Sequence, residues 1–166
     1  MAEGKVAVCP GSYDPVTNGH LDIISRAARV FDKVVVGVVD VQVRKQAPLF
    51  SAQERKGLLE RALAANGNDN VEVKIFSNLL VEFARDNGAV AIVKGLRAIS
   101  DFEYESEMNQ LNRKLADEIE SVYIFASSEY SFIRSTGVKE MATFGGDVSD
   151  LVPAEVAEAL AERLAK

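Results

Sequence analysis

The chain is poor in several residue types on which cross-linking, metal binding and catalysis often rest. It has one cysteine, Cys9, one histidine, His20, and no tryptophan. A single thiol excludes an internal disulfide and a cysteine zinc cage. Cys9 lies in an apolar run, where a buried, inert thiol is expected. No apolar stretch reaches the roughly 18 residues needed to span a bilayer. The first residues, Met1-Ala2-Glu3-Gly4-Lys5, lead into only a short apolar run without a signal-peptide pattern, so cytoplasmic residence is the expectation. Positive charge is also short, with 19 Lys and Arg against 25 Asp and Glu and a formal charge of -6. An acidic surface repels duplex DNA and anionic membranes, so neither nucleic acid nor membrane is expected as a partner. An anionic ligand would have to be held by a few local cations and backbone amides.

What is present is an ordinary globular balance, 48% apolar and 27% charged over 166 residues, enough for a single domain spanning 1–166. No repeat, low-complexity segment or linker interrupts it. Apolar, β-branched runs alternate with helical spacing. The runs Val6–Cys9, Val34–Val39, Val71–Phe76, Ala89–Val93 and Val122–Phe125 read as strands. Between them, Leu21, Ile23, Ile24, Ala27, Ala28 and Phe31 recur at helical spacing. Ser51 with Glu54 forms a capping box for a helix to about Ala65. Further helices are expected over Leu79–Asp86, from Ser100 or Asp101 to about Ala116, over Ser131–Phe144 with a break near Gly137, and over Pro153–Lys166. The run Val34–Val39 is apolar at all positions but Gly37, as in a parallel sheet covered on both sides. Five strand-helix alternations predict an α/β, doubly wound (Rossmann-like) fold, a parallel five-stranded sheet with helices on both faces. Ligands of such folds sit beyond the carboxyl ends of the strands.

Three strand ends carry chemistry. The first leads into Pro10-Gly11-Ser12-Tyr13-Asp14-Pro15-Val16-Thr17-Asn18-Gly19-His20. Gly11 permits a sharp turn, and Thr17 or Asn18 can cap the next helix, which puts Gly19 and His20 in a first turn suited to anions. His20 can be a packed helix-end residue or a hydrogen-bond donor to a phosphate oxygen. Neither a Gly-x-Gly-x-x-Gly fingerprint nor a Walker loop occurs. After the fourth strand, Lys94-Gly95-Leu96-Arg97 brings two cations around a glycine, readable as a solvated loop or as half of a convergent anion pocket. The acids of Asp101-Phe102-Glu103-Tyr104-Glu105 are explained by the dipole of a helix start. After the fifth strand, the hydroxyl-rich segment Ser127–Thr136 offers donors for phosphate, or is a plain polar loop.

Pro10–Pro15 with Thr17-Asn18-Gly19-His20 resembles the phosphate loop of the nucleotidylyltransferase superfamily, with its His/Thr-x-Gly-His signature. Together with Lys94–Arg97, Asp101–Glu105, Tyr130-Ser131-Phe132 and Gly145-Gly146-Asp147-Val148, the chain is similar over nearly its full length to the bacterial phosphopantetheine adenylyltransferase family. That resemblance implies transfer of the adenylyl group of ATP to 4'-phosphopantetheine, giving dephospho-coenzyme A and pyrophosphate, with Mg²⁺ accompanying the nucleotide. It further implies direct in-line attack by the substrate phosphate and assembly as a homohexamer. No general base is needed, in keeping with a chain that has no Ser-His-Asp or Cys-His set.

Carried over by position, the resemblance makes His20 and Lys94 catalytic. It assigns Ser12, Tyr13, His20, Gly95, Leu96, Arg97, Glu105, Tyr130, Ser131, Phe132, Ile133, Arg134, Ser135 and Thr136 to the ATP site. The acceptor would meet Ser12, Leu80, Lys94 and either Arg44 or Lys45, since the loop before Phe50 departs from the family's pattern. Arg134 stands where a serine is usual, and would add charge to the triphosphate site or partly block it. No metal ligand is assigned. A transferase of the same fold with another acceptor, such as nicotinamide mononucleotide or a phosphorylated polyol, is one alternative. A non-catalytic nucleotide-binding module is the other.

Overall fold

Four valines of one run, Val34, Val35, Val36 and Val38, are fully buried, each contributing about 2 kcal/mol through the apolar surface it withdraws from water. Val34, Val36 and Val38 join one hydrophobic cluster and Val35 a second on the opposite side. That split places the strand between two apolar layers. The computed structural model describes residues 4–40 and 47–165. In chain order its elements are β1 (Val6–Gly11), α1 (Asn18–Val30), β2 (Lys33–Val39), α2 (Ala52–Ala65), β3 (Val71–Phe76), α3 (Leu80–Asp86), β4 (Ala89–Leu96), α4 (Ile99–Leu115), β5 (Glu120–Phe125), α5 (Ser135–Thr143) and α6 (Ala154–Leu164).

The five strands are all parallel, in the order β3-β2-β1-β4-β5. Buried residues of α1, α2, α5 and α6 (Ile24, Leu59, Val138 and Leu160 among them) cover one face. Val81, Phe83 and Ala84 of α3, with Ala116 and Ile119 just beyond α4, cover the other. This is the doubly wound architecture expected from the alternation of runs. The strand order reverses between β1 and β4, the switch point at which such sheets open a crevice. Here β1 pairs with β2 as far as Gly11↔Val38, but its register with β4 ends at Val8↔Ile92. Pro10 brings no N–H to a ladder, and it falls in the stretch of β1 no longer paired to β4.

Several boundaries differ from the sequence reading. β4 runs on through Lys94, Gly95 and Leu96, which pair with Tyr123, Ile124 and Phe125 of β5, so the Lys94–Leu96 segment is strand rather than loop. α5 begins at Ser135 and not Ser131, because residues 128–132 are held in turns by Tyr130 N–H to Ser127 O and Ile133 N–H to Tyr130 O. No break occurs at Gly137. A mid-helix glycine costs only about 1 kcal/mol against alanine, and the neighbouring Val138 is anchored in the core. The Ser51 capping box forms as expected, with both reciprocal bonds to Glu54.

Candidate active site

At the switch point between β1 and β4, Ser12 follows the end of β1, His20 lies in the first turn of α1, Lys94 stands near the end of β4 and Arg97 just beyond it. Thr17 is the N-cap of α1, and the third helical position, where Glu or Gln usually completes a capping box, is His20. The Thr17 N–H donates to His20 Nδ1 at 3.0 Å, and the His20 N–H donates to Thr17 Oγ1 at 3.4 Å. A backbone N–H can only donate, so Nδ1 must carry a lone pair and the neutral ring holds its proton on Nε2. Burial, and secondly the charge of Arg97, lower the His20 pKa to about 4. At neutral pH the ring is therefore uncharged and presents one fixed N–H donor.

Tyr13 packs its ring against His20 edge-on, with centroids 5.0 Å apart, and donates its hydroxyl to Cys9 O at 2.9 Å. Its φ of 50° lies in the left-handed region, uncommon for an aromatic residue. A side chain on Gly11 would bring its Cβ within 2.9 Å of the Tyr13 ring, so this tight loop needs glycine there. Tyr13 is thus buried behind His20, while Ser12 is exposed. Across the crevice, Lys94 Nζ lies 3.4 Å from Glu105 and Arg97 Nε lies 3.3 Å from Asp101, so each cation leans on a carboxylate of α4. The Arg97 N–H also donates to Asp101, at 3.1 Å. A Cβ on Gly95 would stand 2.9 Å from Ile23 Cγ1, so its bare backbone lets α1 approach β4.

The segment after β5 lies over the start of α1. Arg97 donates to Ile133 O, and Ser127 donates its hydroxyl to Asp22 of α1 at 2.9 Å. Ser131 donates to Ser128 O and Ser135 to Pro15 O. Three hydroxyls expected to donate to phosphate are therefore engaged inside the protein. The first turn of α1 is similarly less bare than expected: Asn18 N–H goes to Leu151 O and His20 N–H to Thr17 Oγ1. Anion contacts thus fall mainly to side chains. Leu96 and Ile133 are buried, so their side chains are withheld from a ligand. Gly95, Phe132, Arg134 and Thr136 are exposed and Tyr130 is half-buried, with Arg134 at the N-cap of α5. Leu80 opens α3 beyond the end of β3. Arg44 and Lys45 lie outside the described residues.

Residues not assigned from sequence also shape the site. Asp14 accepts Leu49 N–H at 2.9 Å, Phe50 N–H at 3.0 Å and Lys139 Nζ at 2.9 Å. Asp22 binds Arg26 as well as Ser127, and Arg26 reaches Phe125 O. Asp14 lies within the recognised Pro10–Pro15 loop, and its place directly before Pro15 was the one available signal; nothing in the spacing marks Asp22.

Residues 8–141 match the cytidylyltransferase-like family. A phosphopantetheine adenylyltransferase from Rubrobacter xylanophilus is 52% identical over 154 residues, covering 93% of this chain and 92% of the relative. One from Alkaliphilus metalliredigens is 47% identical over 159 residues, covering 96% and 99%. In fold, the chain is similar to a Vibrio parahaemolyticus protein assigned as a nicotinate-nucleotide adenylyltransferase. The TM-score is 0.73 at 15% identity, over 99% of this chain and 98% of that one. With the match of residues 8–141 and near-half identity over almost the full length, this chain belongs to the phosphopantetheine adenylyltransferase family of cytidylyltransferase-like proteins.

Proposed function

We propose that the chain transfers the adenylyl group of ATP to 4'-phosphopantetheine, releasing pyrophosphate and forming dephospho-coenzyme A. The observation that carries this reading is His20, held neutral with its Nε2–H as donor at the β1/β4 crevice, within the field of Arg97. A phosphate monoester is already nucleophilic at neutral pH, so the protein need supply no general base. Its task is to align two polyanions and to stabilise the charge that grows around the α-phosphorus. An oxygen of the acceptor phosphate attacks that phosphorus, the bond to the pyrophosphate oxygen breaks, and pyrophosphate carries the electron pair away. His20 donates to an oxygen of the transferred group, and a neutral donor does so without having to lose a proton. Lys94 holds the attacking phosphate, and Arg97 the nucleotide. Both must first exchange their α4 carboxylates, Glu105 and Asp101, for phosphate oxygens.

Among the described residues no three metal-ligating acids, histidines or cysteines converge. Mg²⁺ readily binds substrate phosphates with few protein ligands, which fits a crevice whose acids are already engaged by cations. We place the ion on the ATP phosphates, where it would screen their charge as part of the substrate.

No helix among the described residues is long and apolar enough to cross a membrane. α4 is 17 residues long with no buried residue, and exposes Phe102, Tyr104, Leu111 and Leu115. A helix with that much uncovered apolar surface supports burial against other subunits, as in the homohexamer that the family resemblance implies. Light scattering should give six times the 18.0 kDa chain mass.

The deciding experiment is incubation with MgATP and either 4'-phosphopantetheine or nicotinamide mononucleotide, scoring pyrophosphate. Release with the first alone supports the reading, and release with the second alone refutes it.

A further inference from the structure

Among the described residues three polar side chains are buried: Asp14, Thr17 and Arg55. Thr17 is accounted for by His20. Arg55, on the first turn of α2 and 2% exposed, makes no ion pair with a described carboxylate; its partners are carbonyl oxygens. Its Nε donates to Phe50 O at 3.0 Å, and one terminal nitrogen donates to both Ser12 O at 2.6 Å and Val39 O at 3.0 Å. These three carbonyls belong to the loop after β1, the end of β2 and the entry to α2. Burying a guanidinium without a carboxylate is unfavourable unless its hydrogen bonds are well made, and a neutral side chain could pack there more cheaply.

The Ser12 carbonyl shares its peptide plane with the Tyr13 N–H, and Tyr13 is the described non-glycine residue at positive φ. A strained residue persists only where its surroundings over-determine it. Arg55 grips one side of that strained peptide. Asp14 secures the other side by taking the N–H groups of Leu49 and Phe50. Phe50 is thereby bonded through its N–H to Asp14 and through its carbonyl to Arg55, and this cross-tie joins α2 to the loop that carries Ser12.

We propose that Arg55 is a positioning residue for the adenylyl transfer: touching neither substrate, its guanidinium fixes the Ser12–Tyr13 peptide so that Ser12 stands correctly at the β1/β4 crevice. This rests on the function proposed above. The test is a cycle of wild type, Arg55→Lys, Ser12→Ala and the double variant, reading kcat, KM and, by calorimetry, the affinity for ATP alone. Lysine keeps the charge but cannot span three carbonyls with a planar fork. Arg55→Lys should keep a cooperative thermal transition yet lose at least about tenfold in kcat, the scale of a small misplacement of a reacting group. The double variant should lose no more than Ser12→Ala, because both changes act through one residue. Wild-type turnover in Arg55→Lys, or losses that multiply in the double variant, would overturn the proposal. So would failure of Arg55→Lys to fold, which would make Arg55 a scaffold residue. If wild type does not turn over phosphopantetheine, the proposed function falls instead, and the same cycle is then read in ATP affinity.

Discussion

The backbone N–H of Thr17 donates to Nδ1 of His20 across 3.0 Å, so a helix cap and the tautomer of the ring are set by one bond. Burial and Arg97 hold the ring neutral, with a pKa of about 4 against 6.5 unperturbed. The chain has one histidine, so its ring protons give an isolated NMR signal. That signal should stay unchanged on acidification until about pH 5 and titrate near 4; a midpoint near 6.5 would disprove the assignment. The linkage follows in sign. The unfolded ring takes up its proton around 6.5 and the folded ring only around 4, so stability is unaffected above about 6.5 and declines as pH falls between the two.

In the proposed mechanism, replacing His20 with alanine removes one donor to the transition state. Such losses are typically about a hundredfold or more in turnover, and at least that is expected here, with ATP still bound. Turnover near that of wild type would remove the proposed role. The Thr17 cap also loses its reciprocal bond, so thermal stability should be measured alongside to separate the two effects.

Lys94 lies near the end of β4 and Arg97 just beyond it, and the proposed mechanism gives them different work. Lys94→Ala should raise KM for phosphopantetheine more than KM for ATP. Equal effects on both would show that the side chain does not discriminate the attacking phosphate from the nucleotide. The side chain is about one-quarter exposed and paired with Glu105 in the free protein, so folding should be little changed.

How much of this was readable beforehand varies with the physics involved. Strands of stacked valines and a Ser51–Glu54 box declare themselves, because burial on two faces and reciprocal capping leave strong local patterns. The continuation of β4 through Lys94 and Gly95 does not, since its cause is pairing with β5 about 30 residues on. The hydroxyls of Ser127 and Ser135 looked available because their acceptors, Asp22 and Pro15 O, are more than 100 residues away in the chain. Arg55 sits in a helix whose sequence gives every charged residue the same apparent standing. Only the three carbonyls around it set it apart.

Cys9 is expected to be chemically silent. Its thiol is pushed up to about 12 by burial, opposed only by the charge of Lys94, and a protonated, enclosed thiol is a poor nucleophile. At about pH 8 a thiol reagent should label the native protein only as fast as it unfolds, and stoichiometrically in denaturant. Rapid labelling of the native protein would mean that the end of β1 opens to solvent.

The contact between Ile23 and Gly95 offers a sharper test of how α1 is seated. Gly95→Ala would place a methyl 2.9 Å from Ile23 Cγ1, closer than carbon atoms approach one another in real structures. Either Ile23 shifts or α1 moves off β4, at a cost of about 1–3 kcal/mol for overpacking. Because α1 carries His20 and β4 carries Lys94, turnover should fall along with stability. Ile23→Ala on its own leaves a void and is also destabilising. Combined with Gly95→Ala it removes the clashing atoms, so the double variant should be more stable than the sum of the two single losses. Simple additivity would show that the two residues do not press on each other and that α1 is seated by other contacts.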